Sequence, residues 1–360
     1  MKKYIWEKAS SLVTAFVLAT TLAGCAAPAP TAQSAPPSAA LEAASEAEET
    51  ADAAVEKETG YEPVDIAIGV DSSSFSAQLR IAEEAGIFEK YNINADLTTF
   101  SFGIDTINGV ILGEVQVGEA NDYAVATRAA QGSNLRLVTS ILGGQGDSKS
   151  LYANSEDIQS GEDLAGKNLS VQSGTVNEYE WAKTLQTYGL TNEDVNFLEF
   201  SSDAEAIAAF QSKNADAIWL SKQFKDAAGE VENSHTIANL ADVGGKNIAY
   251  LVVDEAFLAG NEEAVERLIL ALNDATELIN NDIDQAAEYL SANLGIAFDD
   301  AKAGLTTYDY EIRFNQSDVD HVLEVADTAI ELGLIENAYD LSQYVVTDAV
   351  KAVYPDRVDF

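Results

Sequence analysis

Residues 161–189 read GEDLAGKNLSVQSGTVNEYEWAKTLQTYG and contain a turn, a strand and a helix in close succession. The turn opens at Ser160, residues 168–172 alternate as a short strand does, and residues 176–188 have helical spacing. Gly189 follows as the C-terminal cap, because glycine readily adopts the left-handed conformation that ends many helices. A strand that leads directly into a helix is the repeating unit of α/β proteins.

The same alternation extends in both directions from this stretch. Upstream, predicted strands at 64–70, 95–100, 115–119 and 135–142 alternate with helices at 79–88, 106–112 and 123–131. Downstream, strands at 195–200 and 215–220 flank a helix that begins with a capping box at Ser202 and Glu205. A strand at 248–253 and helical runs at 265–279, 285–294, 319–332 and 343–353 complete the chain. The pattern predicts two α/β lobes with mostly parallel sheets and a helical C-terminal tail.

The restart of the alternation after Ser150 predicts how the lobes divide the chain. Residues 63–150 and 251–360 form lobe 1, and residues 151–250 form lobe 2. The chain crosses between them twice, near 147–153 and near 246–254, which predicts a two-strand hinge. Two lobes on such a hinge indicate a clamp that closes over a ligand.

Composition narrows the function further. The chain has 60 acidic and 20 basic residues, a net charge of −40, which excludes ordinary binding to nucleic-acid duplexes because that needs clustered Lys and Arg. The single cysteine excludes an internal disulfide and a thiolate metal cluster. The only histidines, His235 and His321, are expected at the surface or in capping positions. We therefore predict no metal site and no cofactor.

The N-terminus has the pattern of a secretory signal sequence. Residues 1–24 combine lysines at the start with an apolar run too short to span a membrane comfortably. The run ends in Leu22-Ala23-Gly24-Cys25, which resembles the lipobox of bacterial lipoproteins and predicts that Cys25 is lipidated. The alternative is a buried cysteine at the end of a helix. Residues 25–62 are rich in Pro, Ala and Glu and predict a disordered acidic tether, with a transient helix as the alternative.

Motifs for catalysis are not found. Gly161 to Asn168 approaches the pattern of a phosphate-binding P-loop, but Asn168 replaces the Ser or Thr that binds magnesium. The motif also precedes a strand, whereas a P-loop follows a strand and opens a helix. The sequence contains no G-x-S-x-G, H-E-x-x-H or G-x-G-x-x-G motif. We therefore predict no catalytic residues and a protein that is not an enzyme.

Several segments resemble one family of solute-binding proteins. Asp163-Leu164-x-Gly166-Lys167 followed by Ser173-Gly174-Thr175 resembles the "DLxGKxV…GS/T" stretch of ABC-importer solute-binding proteins that serve nitrate, aliphatic sulfonates, taurine and the pyrimidine precursor of thiamine. Residues 85–89, 111–118 and 203–217 resemble three further segments of this group. Asn92 and Gln116 depart from its pattern, where a glycine and an aspartate are usual. The resemblance covers residues 64–350 and implies a type II periplasmic-binding-protein fold without catalysis.

The candidate binding residues follow from the rule that ligands of open α/β sheets lie beyond the carboxyl ends of the strands. This rule and the aromatic positions select one set of residues: Ser72, Ser73, Ser74, Phe75, Asn121, Asp122, Tyr123, Gln145, Ser173, Gly174, Thr175, Trp219 and Tyr250. Asp122 is a candidate partner for a solute amine, and Phe75, Tyr123, Trp219 and Tyr250 are candidate aromatic walls. The alternatives are helix capping for Asp122, the serines and Thr175, and core filling for the aromatic residues. These segments contain no Lys or Arg, although Lys149 and Lys222 lie just outside them.

The sequence therefore predicts a lipid-anchored, extracytoplasmic and monomeric receptor of an ABC importer. Its partners would be a small organic solute, of the sulfonate, taurine and nitrate type or the pyrimidine-precursor type, and the permease with its ATPase. One alternative is a lipoprotein that passes a signal to a receptor. Another is an enzyme like the yeast thiamine-pyrimidine synthase, which shares this fold. That enzyme uses iron with histidine and a cysteine-rich motif, and Cys25 is the only cysteine here.

Replacement of Cys25 by serine tests the anchor. A serine carries no thiol for lipid attachment, so Cys25→Ser should leave an unprocessed precursor or release the protein into the soluble fraction. Fractionation of cells that express each form, followed by mass spectrometry of the N-terminus, measures this. A Cys25→Ser protein that is processed normally and stays with the membrane would contradict the prediction.

Overall fold

The structure is a computed structural model that describes residues 60–144 and 146–360. Within this range, Gln223 is described by its backbone but not by its side chain. The predicted signal sequence, Cys25, almost all of the predicted tether and Gln145 lie outside the described residues.

Strands and helices alternate through the first two thirds of the described chain. The strands are β1 (Val64–Asp71), β2 (Ile93–Phe100), β3 (Val117–Asn121), β4 (Leu135–Gly144), β5 (Lys149–Ala153), β6 (Asn168–Val171), β7 (Asn196–Glu199), β8 (Ala217–Ser221), β9 (His235–Asn239), β10 (Asn247–Asp254) and β11 (Tyr308–Arg313). The helices are α1 (Ala77–Glu84), α2 (Ile87–Lys90), α3 (Gly103–Leu112), α4 (Asp122–Ala129), α5 (Val176–Thr187), α6 (Asp203–Gln211), α7 (Lys225–Gly229), α8 (Glu255–Leu258), α9 (Glu262–Asn281), α10 (Ile283–Leu294), α11 (Phe298–Leu305), α12 (Gln316–Glu331) and α13 (Asp348–Val353).

The strands form two separate mixed sheets. The first has the order β11-β4-β10-β3-β1-β2, and the second has the order β7-β6-β8-β5-β9. In the first sheet β1 pairs in parallel with β2 and β3, whereas β10 runs antiparallel to both β3 and β4. In the second sheet β6 is parallel to β7 and β8, and β5 is antiparallel to β8 and β9. The prediction of mostly parallel sheets is therefore wrong. The strands next to the crossings between the sheets are antiparallel to their neighbours.

The chain passes between the sheets through two short connections. Residues 146–148 are the described part of the connection from β4 to β5, and residues 240–246 lead from β9 to β10. The crossing segments predicted from sequence begin close to these connections and extend into β5 and β10. Each of those two strands lies wholly within one sheet.

Local capping chemistry fixes several element ends that the sequence indicates. The side chain of Ser202 accepts a hydrogen bond from the Glu205 N–H and caps the start of α6 as predicted. The reciprocal half of the predicted capping box is not formed, because the Glu205 carboxylate accepts from the N–H and hydroxyl of Ser201. Gly189 follows α5 with φ +70°, the left-handed conformation expected of it. The C-terminal part is helical from α9 to α13, but it also contains β11, an unpredicted strand that pairs antiparallel with β4.

The second sheet has its own core, built around Trp181. This side chain is fully buried, and its indole N–H donates to the carbonyl of Ser170 at 2.6 Å. Its ring contacts the rings of Trp219 and Phe197 edge to face, with centroids 6.5 and 6.3 Å away. The core role expected of Trp181 from its helical spacing is confirmed.

The first sheet contains a buried carboxyl pair, formed by Asp71 at the end of β1 and Glu119 in the middle of β3. The Ser76 hydroxyl lies within hydrogen-bond distance of both Asp71 Oδ1, at 3.3 Å, and Glu119 Oε1, and its single proton is available to one of them. Arg80 is the nearby cation, and its guanidinium donates to the main-chain carbonyl of Asp71. Glu119 is completely buried. Burial and the charge of Asp71 raise the pKa of the Glu119 carboxyl well above its usual value of 4.5, and Arg80 opposes this rise.

The raised pKa of Glu119 predicts how stability depends on pH. The unfolded chain loses this proton near pH 4.5, whereas the folded chain keeps it at higher pH, so Glu119 makes the free energy of unfolding fall as pH rises. Glu119→Gln mimics the protonated carboxyl and removes that decline. Its free energy of unfolding relative to the wild type should rise between about pH 5 and pH 8, by at most about 1.4 kcal/mol per pH unit. Urea unfolding at several pH values measures this, with the exposed Glu114→Gln as control. A constant difference across the range would contradict the prediction.

Candidate functional site

A cleft lies between the two sheets and has a volume of about 120 Å³. For comparison, a protein cavity of roughly 150 Å³ holds benzene, so the cleft suits a small solute. Its described lining combines hydroxyl, amide, charged and aromatic side chains: Asp71, Ser72, Ser73, Phe75, Ser101, Phe102, Asn121, Lys149, Gln172, Thr175, Asn177, Asp203, Trp219, Ser221, Phe224, Asn247 and Tyr308. Both sheets contribute, so a solute bound there would contact both lobes.

The positions of these residues follow from the strand directions. Asp71 ends β1, Asn121 ends β3 and Ser221 ends β8, so carboxyl ends of strands from both sheets open into the cleft. This is the location expected for a ligand in open α/β sheets. Lys149 and Asn247 begin β5 and β10, directly after the two crossings.

Six of the predicted binding residues line the cleft: Ser72, Ser73, Phe75, Asn121, Thr175 and Trp219. Three of them also cap helical turns. Asn121 accepts a hydrogen bond from the Ala124 N–H at 3.1 Å, and Thr175 accepts one from the Asn177 N–H at 3.1 Å. Ser73 accepts from the Phe75 N–H at 3.1 Å. The capping alternative therefore applies to these side chains, which are held in fixed orientations at the edge of the cleft.

Asp122 lies outside the cleft lining and is 1% exposed. Its Oδ2 is 2.7 Å from His321 Nε2 and accepts a hydrogen bond from the Ile248 N–H at 3.2 Å. Burial lowers the pKa of His321, but the hydrogen bond and the charge of Asp122 outweigh burial and raise it overall. A role for Asp122 as partner of a solute amine does not fit this position. His321 is also not the surface or capping residue expected, since it is buried against Asp122.

The remaining predicted residues also lie outside the lining. Tyr250 is completely buried, and its hydroxyl donates to the Asp318 carbonyl at 2.7 Å. The Tyr123 ring stacks on Tyr179 with centroids 5.4 Å apart, and its hydroxyl donates to Glu178 at 3.1 Å. Both tyrosines therefore fill the core, which was the alternative to their predicted role as walls of the cleft.

Ser74, Ser173 and Gly174 are the other three residues of the predicted set that the structure describes. Ser74 is buried, and its carbonyl accepts a hydrogen bond from Tyr310. The Ser173 hydroxyl donates to Glu199 at 2.6 Å, and the Gly174 N–H donates to Glu178 at 3.0 Å. Gln145 lies outside the described residues, so its predicted role stays a prediction.

Tyr308 is a lining residue that sequence analysis missed. It begins β11, the strand that was not predicted, and its ring meets Phe75 edge to face with centroids 5.8 Å apart. Burial raises its pKa, so the phenol stays protonated, and it faces Ser221 of the other sheet. Trp219 forms another wall, with its indole N–H donating to Thr184 Oγ1 at 3.2 Å. Aromatic side chains from both lobes therefore enclose the cleft.

Lys149 and Asp71 also line the cleft, although neither is among the thirteen predicted binding residues. Lys149 Nζ forms an ion pair with Glu180 Oε1 at 2.7 Å, and Glu180 is 2% exposed. Burial raises the pKa of Glu180, and the adjacent ammonium of Lys149 opposes the rise. Burial likewise raises the pKa of Asp71, against the effect of hydrogen bonds from Ser73 and the charge of Arg80. The cleft therefore contains ionisable groups of both signs.

Within residues 60–144 and 146–360, no group of three or more His, Cys, Asp or Glu side chains is arranged to hold a metal ion. In the same residues no helix has the length and apolar character needed to cross a membrane.

Comparison with solved structures gives the fold of periplasmic binding proteins. The periplasmic aliphatic sulphonate binding protein SsuA from Escherichia coli has a TM-score of 0.68 at 18% identity, over 79% of this chain and 93% of that one. The alkanesulfonate-binding protein SsuA from Xanthomonas axonopodis pv. citri, bound to MOPS, has a TM-score of 0.69 at 18% identity, over 80% and 99%. A cysteine-to-serine mutant of the desulfurization enzyme DszB, solved with biphenyl-2-sulfinic acid, has a TM-score of 0.57 at 15% identity, over 81% and 99%.

Sequence comparison agrees with the fold. A protein of Brucella abortus (strain 2308), named a candidate binding protein, is 25% identical over 280 residues, which cover 74% of this chain and 85% of that protein. The family model described as NMT1/THI5 like matches residues 75–286, more than half of the chain. The cleft between the two sheets is thus found in a chain that belongs to the NMT1/THI5-like family.

Proposed function

We propose that this protein is the lipid-anchored solute receptor of an ABC importer, which captures a small organic solute by closure of its lobes and delivers it to the permease. The observation that carries this proposal is the cleft, whose described lining comes from both lobes and combines aromatic walls with many hydrogen-bonding groups. Small-molecule sites are typically such concave pockets with a few well-placed polar groups. Solved sulfonate-binding proteins share the fold.

The proposed lobes are residues 63–150 with 251–360, and residues 151–250. The two sheets support this division, because all strands from β5 to β9 lie in the second sheet and all other strands lie in the first. The proposed hinge is the pair of crossings near 147–153 and 246–254, next to the described connections at 146–148 and 240–246. Two short connections allow one lobe to rotate against the other with few backbone changes.

The proposed location is the outer face of the bacterial cell membrane. Lipidated Cys25 would hold the chain there as a monomer, and the acidic segment 25–62 would serve as its tether. The proposed partners are the permease with its ATPase. The solute class is that of the sulfonates, taurine and nitrate or that of pyrimidine precursors, as the resemblance of the sequence implies.

The second candidate is an enzyme, because the desulfurization enzyme DszB has a similar fold. The described cleft lining contains neither cysteine nor histidine, which supports binding over nucleophilic catalysis. A lipoprotein that passes a signal to a receptor would use the same cleft, so uptake of labelled solute by cells with and without this protein separates the two roles.

Lobe closure on a solute tests the proposed receptor function. A screen of sulfonates, taurine, nitrate and aminopyrimidines by thermal shift should reveal a solute that raises the melting temperature, since a ligand of the native state stabilises it. X-ray scattering at saturation should show a smaller radius of gyration. Trp219→Ala should weaken binding by at least about 1 kcal/mol through loss of a cleft wall, whereas Leu112→Ala, at an exposed site, should not. Unchanged scattering with a saturating solute, or conversion of the solute, would contradict the proposal.

A further inference from the structure

The charged side chains that line the cleft indicate which charge the solute carries. We infer that the solute carries a protonated amine that binds Asp71, and that Glu180 selects against simple anions by keeping Lys149 occupied. This inference rests on the proposed receptor function and specifies which member of its broad solute class fits the cleft.

Lys149 is the cation through which an anionic solute would have to bind. It is the one Lys or Arg among the described lining residues. Its ammonium is 2.7 Å from Glu180 Oε1, and the two side chains are only 14% and 2% exposed. Removing a partner from a buried ion pair leaves an uncompensated buried charge, which is strongly unfavourable. A sulfonate or nitrate would therefore compete with Glu180 for Lys149 instead of meeting a free cation.

Asp71, unlike Lys149, is a charged group that has an oxygen available to a solute. It is 8% exposed and lines the cleft. The described donors to its carboxylate converge on Oδ1, which accepts hydrogen bonds from the Ser73 N–H at 2.8 Å and the Ser73 hydroxyl at 3.0 Å and lies 3.3 Å from the Ser76 hydroxyl oxygen. The Arg80 guanidinium donates to the main-chain carbonyl of Asp71. This geometry orients the carboxylate firmly and directs the donors to one oxygen, which leaves Oδ2 for an ammonium group of the solute.

Asp203 brings a second carboxylate to the cleft from the opposite lobe. It begins α6 and accepts a hydrogen bond from Gln172 Nε2 at 2.8 Å. Asp71 and Asp203 line the same cleft of about 120 Å³, so two carboxylates enclosed there by the proposed closure of the lobes would repel each other. A solute with positive charge relieves that repulsion, so it favours the closed form. The aromatic walls add to this preference, because cations are attracted to ring faces.

Three two-carbon probes separate the charges of the solute. Ethylammonium carries the amine alone, ethanesulfonate carries the anion alone, and taurine carries both. Calorimetry on the purified full-length protein should show ethylammonium and taurine bound at least about tenfold more tightly than ethanesulfonate, the size expected of one hydrogen bond between charged groups. Asp71→Asn should abolish that preference. Glu180→Gln, which frees Lys149, should strengthen ethanesulfonate binding at least about tenfold.

The outcomes distinguish this inference from the receptor function. Tight ethanesulfonate binding to the wild type, with no effect of Asp71→Asn, would overturn the inference and leave a sulfonate receptor in place. Absence of binding by all three probes would also overturn it, while the wider solute screen and the scattering experiment would still test lobe closure. Asp203→Asn should weaken ethylammonium binding in the same direction as Asp71→Asn, so the inference stays testable if either Asp71→Asn or Glu180→Gln fails to fold. Circular dichroism establishes folding of every variant.

Discussion

Strand β10 is buried and needs hydrogen-bond partners along both of its edges, and much of the rest of the structure depends on this pairing. It enters the first sheet from the second and lies between β3 and β4, with residues 247–253 buried. A buried strand must pair its backbone N–H and C=O groups, because leaving them unpaired is costly. The pairing with β3 and β4 supplies most partners, and the Asp122 carboxylate accepts the N–H of Ile248. The same carboxylate pairs with His321, which fixes α12 against the sheet.

The cleft depends on this arrangement. Because β10 starts at the second crossing, its first residue, Asn247, is placed in the cleft lining next to the end of β3. The first crossing leads into β5 and places Lys149 at the opposite wall. Tyr308 of β11 reaches the cleft only because β11 extends the sheet beyond β4. Residues from both crossings and from the C-terminal part therefore meet at one site, although they are far apart in the sequence.

Sequence reasoning identified the elements whose signals are local. The strand at 64–70, the helix that ends at Gly189 and the cap at Ser202 agree with the structure because alternation, glycine conformation and capping act over a few residues. It missed β9 and β11, since β9 has one buried residue in five and β11 lies between helices. The role of Asp122 was assigned differently because its partner, His321, is 199 residues away. Similarly, Lys149 lies in the predicted crossing segment 147–153, but its place in the cleft depends on the pairing of β5 with β8 and β9, which are distant in the sequence.

The charge of the cleft depends on its own buried side chains and their partners, and not on the net charge of this strongly acidic protein. At physiological ionic strength charges more than roughly 8 Å apart are largely screened at the surface, so the net charge of −40 says little about any one site. Five Asp and Glu side chains are buried among the described residues: Asp71, Glu119, Asp122, Glu180 and Asp318. Three of these have a cationic or histidine partner within 3.0 Å: Asp122 with His321, Glu180 with Lys149, and Asp318 with Arg313.

Asp71 and Glu119 are the exception, because these two carboxyl groups share Arg80 as their nearby cation, and burial raises the pKa of both. Burial of carboxyl groups without matched partners destabilises a fold, and proteins depart from such local rules mainly at functional sites. This departure occurs where β1 opens into the cleft. The unmatched carboxyl pair is thus an electrostatic reason, independent of the family relationship, to regard this end of the first sheet as the part of the molecule that meets the solute.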